Sequence, residues 1–144
     1  MTLPGPTFAP AADASRPGGD GVILFAHGAR DPAWAGPFEA VAAQLREQAP
    51  GLPVRLAFLE FMTPDLPAAG AELAAAGCRA ITVVPLFLGA GGHVRKDVPV
   101  LMDGLRQAHP QVNWSLSAAI GEIPDVVAAM ARAALGLARG AQAA

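Results

Sequence analysis

Cysteine is nearly absent from this 144-residue chain: Cys78 stands alone, with no partner for an internal disulfide. The first twenty residues, Met1 to Asp20, lack the basic start and apolar core of a secretory leader, so a cytoplasmic location is expected. Charge is scarce too, at 15% against about 25% in an average soluble domain. Neither sign dominates. Ten Lys+Arg face twelve Asp+Glu for a net charge of -2, which leaves no basic stripe for nucleic-acid phosphates. Long apolar runs are also missing. The longest stretches without a charged residue, Ala80 to Val94 and Gln107 to Gly121, are 15 residues each and broken by Pro or Gly, short of the ~20 needed to span a bilayer. No membrane or nucleic-acid partner is therefore expected. What the chain does have is 53% hydrophobic residues and enough length to bury one core without staples.

Residues 1–20 are rich in Pro and Gly, carry no periodicity, and read as a flexible tail ahead of a single domain over 21–140. From Gly21 onward, apolar runs alternate with helical patterns. Val22–Phe25, Val54–Leu59, Ile81–Phe87 and Val112–Leu116 predict four strands, and the near-continuous apolar first and third belong at the centre of a sheet. Pro85, which cannot donate to a ladder, is expected at a bulge or strand end. Stripes at Phe38, Val41, Ala42 and Leu45, at Leu66, Ala69, Leu73 and Ala76, at Val98, Leu101, Met102 and Leu105, and from Ile123 to Ala134 predict four amphipathic helices. Asp31-Pro32 and Thr63-Pro64 read as helix starts, Pro124 as a first-turn residue, and Gly51, Gly77 and Gly140 as helix ends. The βαβαβαβα order implies an open, mainly parallel four-stranded α/β sheet with helices on both faces, binding ligands beyond the carboxyl ends of its strands.

Three residues fall at that edge. His27 follows the first strand, Glu60 ends the second, and His93 lies in the loop beginning Gly89-Ala90-Gly91-Gly92 after the third. They are spaced 33 residues apart in each step, so each occupies a similar place in successive strand-helix units. Two imidazoles and a carboxylate suit borderline divalent metals with positions left for substrate. Taken singly, each also fits a turn, strand-end or surface-loop residue. Arg30, Arg95 and Lys96 flank the histidines and can clamp carboxylates, or simply be solvated loop charges. Trp34, Phe58, Phe61, Met62 and Phe87 fit either a flat apolar pocket near the rim or the core. His109-Pro110 matches a helix end, and Cys78 a buried small residue. The glycine run lacks the GK[ST] ending of a P-loop, and no dinucleotide fingerprint follows the first strand, so no nucleotide cofactor is expected. Ala26 stands where a histidine phosphatase has its phosphate-binding arginine.

The stretches Ala26-His27-Gly28-Ala29-Arg30-Asp31-Pro32, Ala57-Phe58-Leu59-Glu60-Phe61, Pro85 to Val94 with Asp97 after it, and Gly121-Glu122-Ile123-Pro124 resemble the small class II tetrapyrrole chelatases of the CbiX type, the sirohydrochlorin cobaltochelatases and ferrochelatases. The likeness covers roughly Gly21 to Ala138 and departs at Ala29, where many relatives have serine. It implies insertion of a divalent metal (Co2+, Fe2+ or Ni2+) into sirohydrochlorin, for cobalamin, siroheme or a nickel cofactor. Its metal-site histidines fall on His27 and His93 and its acidic residue on Glu60, with Arg30, Arg95 and Lys96 as holders of the macrocycle's carboxylates. The chain resembles one lobe of two-lobed relatives, which implies a homodimer. A metal carrier without chelatase activity would use the same ligands and is the alternative.

Overall fold

The computed structural model describes residues 19–143 other than Ala90; the side chains of His93, Gln142 and Ala143 lie outside the described set. The tail expected over residues 1–20 is therefore outside it up to residue 18. Four strands, β1 (Asp20–Ala26), β2 (Val54–Phe58), β3 (Ala80–Pro85) and β4 (Asn113–Leu116), form an all-parallel sheet in the order β2-β1-β3-β4. The apolar β1 and β3 are central, as their composition requires: β1 is buried on both faces, and β3 is buried on one face and half-buried on the other. Pro85 ends β3, where its missing N–H costs no rung, and Leu86 N–H donates to the Phe25 carbonyl at 2.8 Å to close the pairing.

Alternation along the strands builds two cores. Ile23, Phe25, Ile81, Val83 and Trp114 point to the face covered by α2 (Leu66–Ala75) and α3 (Gly92–Ala108) and meet Leu73, Met102 and Leu105 there. Leu24, Ala26, Leu56 and Phe58 point to the opposite face and meet Ala35, Ala42 and Leu45 from α1 (Gly36–Gln48) and the 3-10 turn before it. Ile23, Phe25 and Ile81 are fully buried, and each such side chain contributes about 1.5–3 kcal/mol.

Several element ends differ from the sequence expectation. β1 starts at Asp20, one residue before the expected domain boundary. Asp31-Pro32 opens the 3-10 turn Pro32–Ala35 rather than α1, with the Asp31 carboxylate accepting from Ala33 N–H at 3.0 Å. Thr63-Pro64 does not start α2; that peptide bond is cis, and Asp65 is the cap, accepting from Ala68 N–H at 2.9 Å. The glycine run is not all loop. Gly91 is extended and caps α3, whose first turn is closed by Arg95 N–H donating to the Gly91 carbonyl at 2.9 Å, so His93 is a first-turn helical residue. Pro99 lies inside α3, where it forfeits one bond to the Arg95 carbonyl without ending the helix. Gly77 does end α2 in the left-handed region, whereas Gly140 lies inside the last helix.

That helix, α4 (Pro124–Ala143), begins at proline as expected but covers neither sheet face. It packs on the 3-10 turn Ile120–Glu122, and every residue from Val127 to Ala141 is exposed. The stripe read from Ile123 to Ala134 is thus amphipathic without being core.

Candidate functional site at the carboxyl edge

The sheet order reverses direction at β1, so the crevice expected to hold a ligand lies beyond the ends of β1 and its neighbours. His27 and Glu60 meet there. His27 Nε2 lies 3.1 Å from Glu60 Oε2, and both side chains are about two-fifths exposed, at 42% and 43%. They are solvated enough to receive a ligand and close enough to act on the same atom.

The backbone fixes this pair. β1 and β2 continue their pairing past their formal ends, with Leu59 N–H donating to the Ala26 carbonyl at 2.9 Å and Glu60 N–H to the His27 carbonyl at 3.1 Å. The chain then turns through Gly28, whose positive φ of 94° suits glycine and which lies so flush on the Glu60 backbone that a Cβ would overlap its carbonyl oxygen. Phe87, only 8% exposed, supports the His27 ring at 6.2 Å, edge-on. On the far side Gly121 lies against the Leu88 backbone with no room for a side chain, and its N–H donates to the Phe87 carbonyl at 2.9 Å. The 3-10 turn before α4 thereby holds the segment that leads from β3 toward α3.

Arg30 and Phe61 flank the pair. The Arg30 guanidinium carbon lies 4.5 Å from the centre of the Phe61 ring, a cation-π contact. Phe61 is 55% exposed and has φ of 68°, an uncommon conformation for a large side chain. A flat aromatic face is thus held at the rim beside Glu60 by a strained backbone. Arg95 and Lys96 are exposed in the second turn of α3, beside the helical position of His93. A cavity of about 300 Å3 opens between the end of β2, the first turn of α2 and the second and third turns of α3, lined by Phe58, Leu59, Asp65 and Asp97 among others.

Two of the three residues selected from the sequence, His27 and Glu60, are therefore side by side; the His93 side chain lies outside the described residues. Among the described residues no cluster of three His, Cys, Asp or Glu gathers. Of the five candidate pocket residues, Phe58 and Phe87 are core, Trp34 and Met62 pack against the α1-side core, and Phe61 alone is prominently exposed at the rim. His109 caps α3 and packs on Trp114, whose Nε1–H donates to the His109 carbonyl at 3.2 Å, away from the site. Phe61's orientation had no sequence signal, because a left-handed phenylalanine is written in the same letter as any other.

The CbiX family model matches residues 21–135. A sirohydrochlorin cobaltochelatase from Methanothermobacter thermautotrophicus is 37% identical over 82 residues, covering 57% of this chain and 57% of the relative. One from Saccharolobus solfataricus is 38% identical over 82 residues, covering 57% and 62%. The matched segment thus spans less than two thirds of the length of these relatives. A crystal structure of the CbiX protein from Marinobacter aquaeolei VT8 superposes with a TM-score of 0.75 at 32% identity, covering 83% of this chain and 98% of that one. SirB from Bacillus subtilis, solved with Fe3+, gives 0.67 at 25% identity, covering 77% of this chain and 44% of its own.

Proposed function

Because the chain belongs to the CbiX family, we propose that it inserts a divalent metal, Co2+, Fe2+ or Ni2+, into sirohydrochlorin. The observation that carries this reading is the His27–Glu60 pair at 3.1 Å on the carboxyl edge, within the segment matched by the family. Relatives named sirohydrochlorin cobaltochelatase support the choice of substrate, and SirB structures with cobalt and with Fe3+ support cobalt and iron among the ions.

Metallation breaks two pyrrole N–H bonds, forms metal-nitrogen bonds, and releases two protons. His27 and His93 hold the incoming ion through neutral imidazole nitrogens, and Glu60 shares it or takes a proton from the macrocycle. Phe61 offers a flat face to the macrocycle, and Arg30, Arg95 and Lys96 pair with its peripheral carboxylates. A homodimer supplies the second wall, since one rim cannot enclose so broad a substrate. The reading places the protein in the cytoplasm; among the described residues no helix is long and apolar enough to cross a membrane.

Purified protein incubated with sirohydrochlorin and Co2+ or Fe2+ should convert the metal-free absorption spectrum to that of the metallated product faster than a protein-free control. A protein that binds Co2+ but leaves that rate unchanged would be a carrier instead, and the chelatase reading would fail.

A further inference from the structure

From the contact between Arg30 and Phe61, we infer that Phe61 is a positioning residue: its ring holds the Arg30 guanidinium ready for a peripheral carboxylate of the macrocycle, so that the two side chains form one carboxylate-reading corner beside the His27–Glu60 pair. The inference rests on the proposed function and deepens it by stating what aims Arg30. Alone, Arg30 is poorly suited to that task. It is exposed, in the turn between β1 and the 3-10 turn Pro32–Ala35, and among the described residues no carboxylate pairs with it. A long cation free in solvent gives up rotamer freedom whenever it clamps an anion. Contact with a ring removes much of that loss in advance. The guanidinium carbon lies 4.5 Å from the centre of the Phe61 ring, and the aromatic face takes none of the five N–H donors for a conventional acceptor, so the fork that matches a carboxylate stays unspent.

The ring is in turn fixed by the backbone. A φ of 68° is one that a bulky residue keeps only where the surrounding chain imposes it, and here both flanks do. On one side Glu60 N–H donates to the His27 carbonyl at 3.1 Å and Gly28 leaves no gap against the Glu60 backbone; on the other, Phe58 N–H donates to the Pro64 carbonyl at 2.9 Å and closes the loop that carries Phe61. Core packing does not account for an aromatic residue at this point, since Phe61 is 55% exposed. That exposure, with Arg30 already over the ring, also leaves aromatic surface for the macrocycle. Arg95 and Lys96, exposed on α3, have no ring beneath them among the described residues, so Arg30 is the one of the three cations that is set before the substrate arrives. Because Phe61 directly follows Glu60, a carboxylate held at this corner sets the orientation in which the macrocycle meets the proposed metal ligands.

Titration of the full chain with metal-free sirohydrochlorin, followed by its absorption, tests this without turnover. Arg30→Met keeps the stem and loses the charge, and should weaken binding about 30-fold. Phe61→Leu should weaken binding about 10-fold in the native background but only about 3-fold beside Arg30→Met, the difference being the help that the ring gives Arg30. Phe61→Trp should bind like the native protein, and circular dichroism should be unchanged throughout. With fully esterified sirohydrochlorin, Arg30→Met should matter less than about twofold and Phe61→Leu should cost about 3-fold in either background. Equal losses from Phe61→Leu in the two backgrounds with the acid, or a coupling that persists with the ester, would overturn the inference. The two readings fail separately: coupled binding without metallation sinks only the chelatase, and an active chelatase whose two losses are additive sinks only the positioning role.

Discussion

A 3.1 Å contact between an imidazole and a carboxylate, each about two-fifths exposed, contributes little to folding, since exposed pairs are worth about 0–1 kcal/mol. His27→Ala should therefore leave the circular dichroism spectrum and melting temperature nearly unchanged while reducing metal insertion by orders of magnitude, and His93→Ala should do the same. Glu60→Gln keeps the shape and loses the base, so turnover should fall with less effect on macrocycle binding. His109→Ala is the control, expected to be near neutral in the chelatase assay because its ring packs on Trp114. Phe61 predicts a different pattern. Phe61→Leu should raise KM for sirohydrochlorin with the Co2+ affinity unchanged, and Phe61→Trp should restore it; titrating ion and macrocycle separately checks both.

At the scale of elements, the site depends on two glycines that permit close approach. Gly28→Ala forces a Cβ into the Glu60 backbone at a positive φ, so it should cost about 1–3 kcal/mol and impair activity, whereas Gly36→Ala, in open space, should be tolerated; thermal melts of the two variants compare them directly. The alternation of strands and helices, the central places of β1 and β3, and the 33-residue spacing were legible in the letters, because burial on both faces demands continuous apolar runs and each unit repeats one crossover. Helix starts were less so. Gly91 and Gly92 resemble a loop in composition, yet an extended Gly91 is a sound cap, and Thr63-Pro64 imitates a start that Asp65 supplies. The stripe of α4 was also legible, but a periodicity records only that a helix has an apolar side and not that the side is core; here it is exposed. That His27 and Glu60 share a side of the edge followed from topology; that their atoms touch depended on the turn at Gly28.

For the whole molecule, Cys78 is a built-in reporter of unfolding. It is buried, its thiol lies 3.6 Å from the Asp20 carbonyl, and burial, with the nearby Asp20 charge, raises its pKa above the ordinary 9.0. Below pH 9 both folded and unfolded chains keep the proton, so stability is unaffected; as pH rises through 9 the unfolded thiol ionises first, and stability falls. Alkylation should accordingly be slow in the native protein and fast in denaturant, and Cys78→Ala should blunt the loss of stability in denaturant melts above pH 9. A second reporter sits at the site itself. Because the Glu60 amide bonds to the His27 carbonyl one step beyond the formal strands, it should exchange with deuterium as slowly as the amides inside β2. The two proposed donors would then have the lifetime of the sheet rather than of a loop, and an ion held between them would leave through its own ligand exchange, with no opening of the protein to wait for.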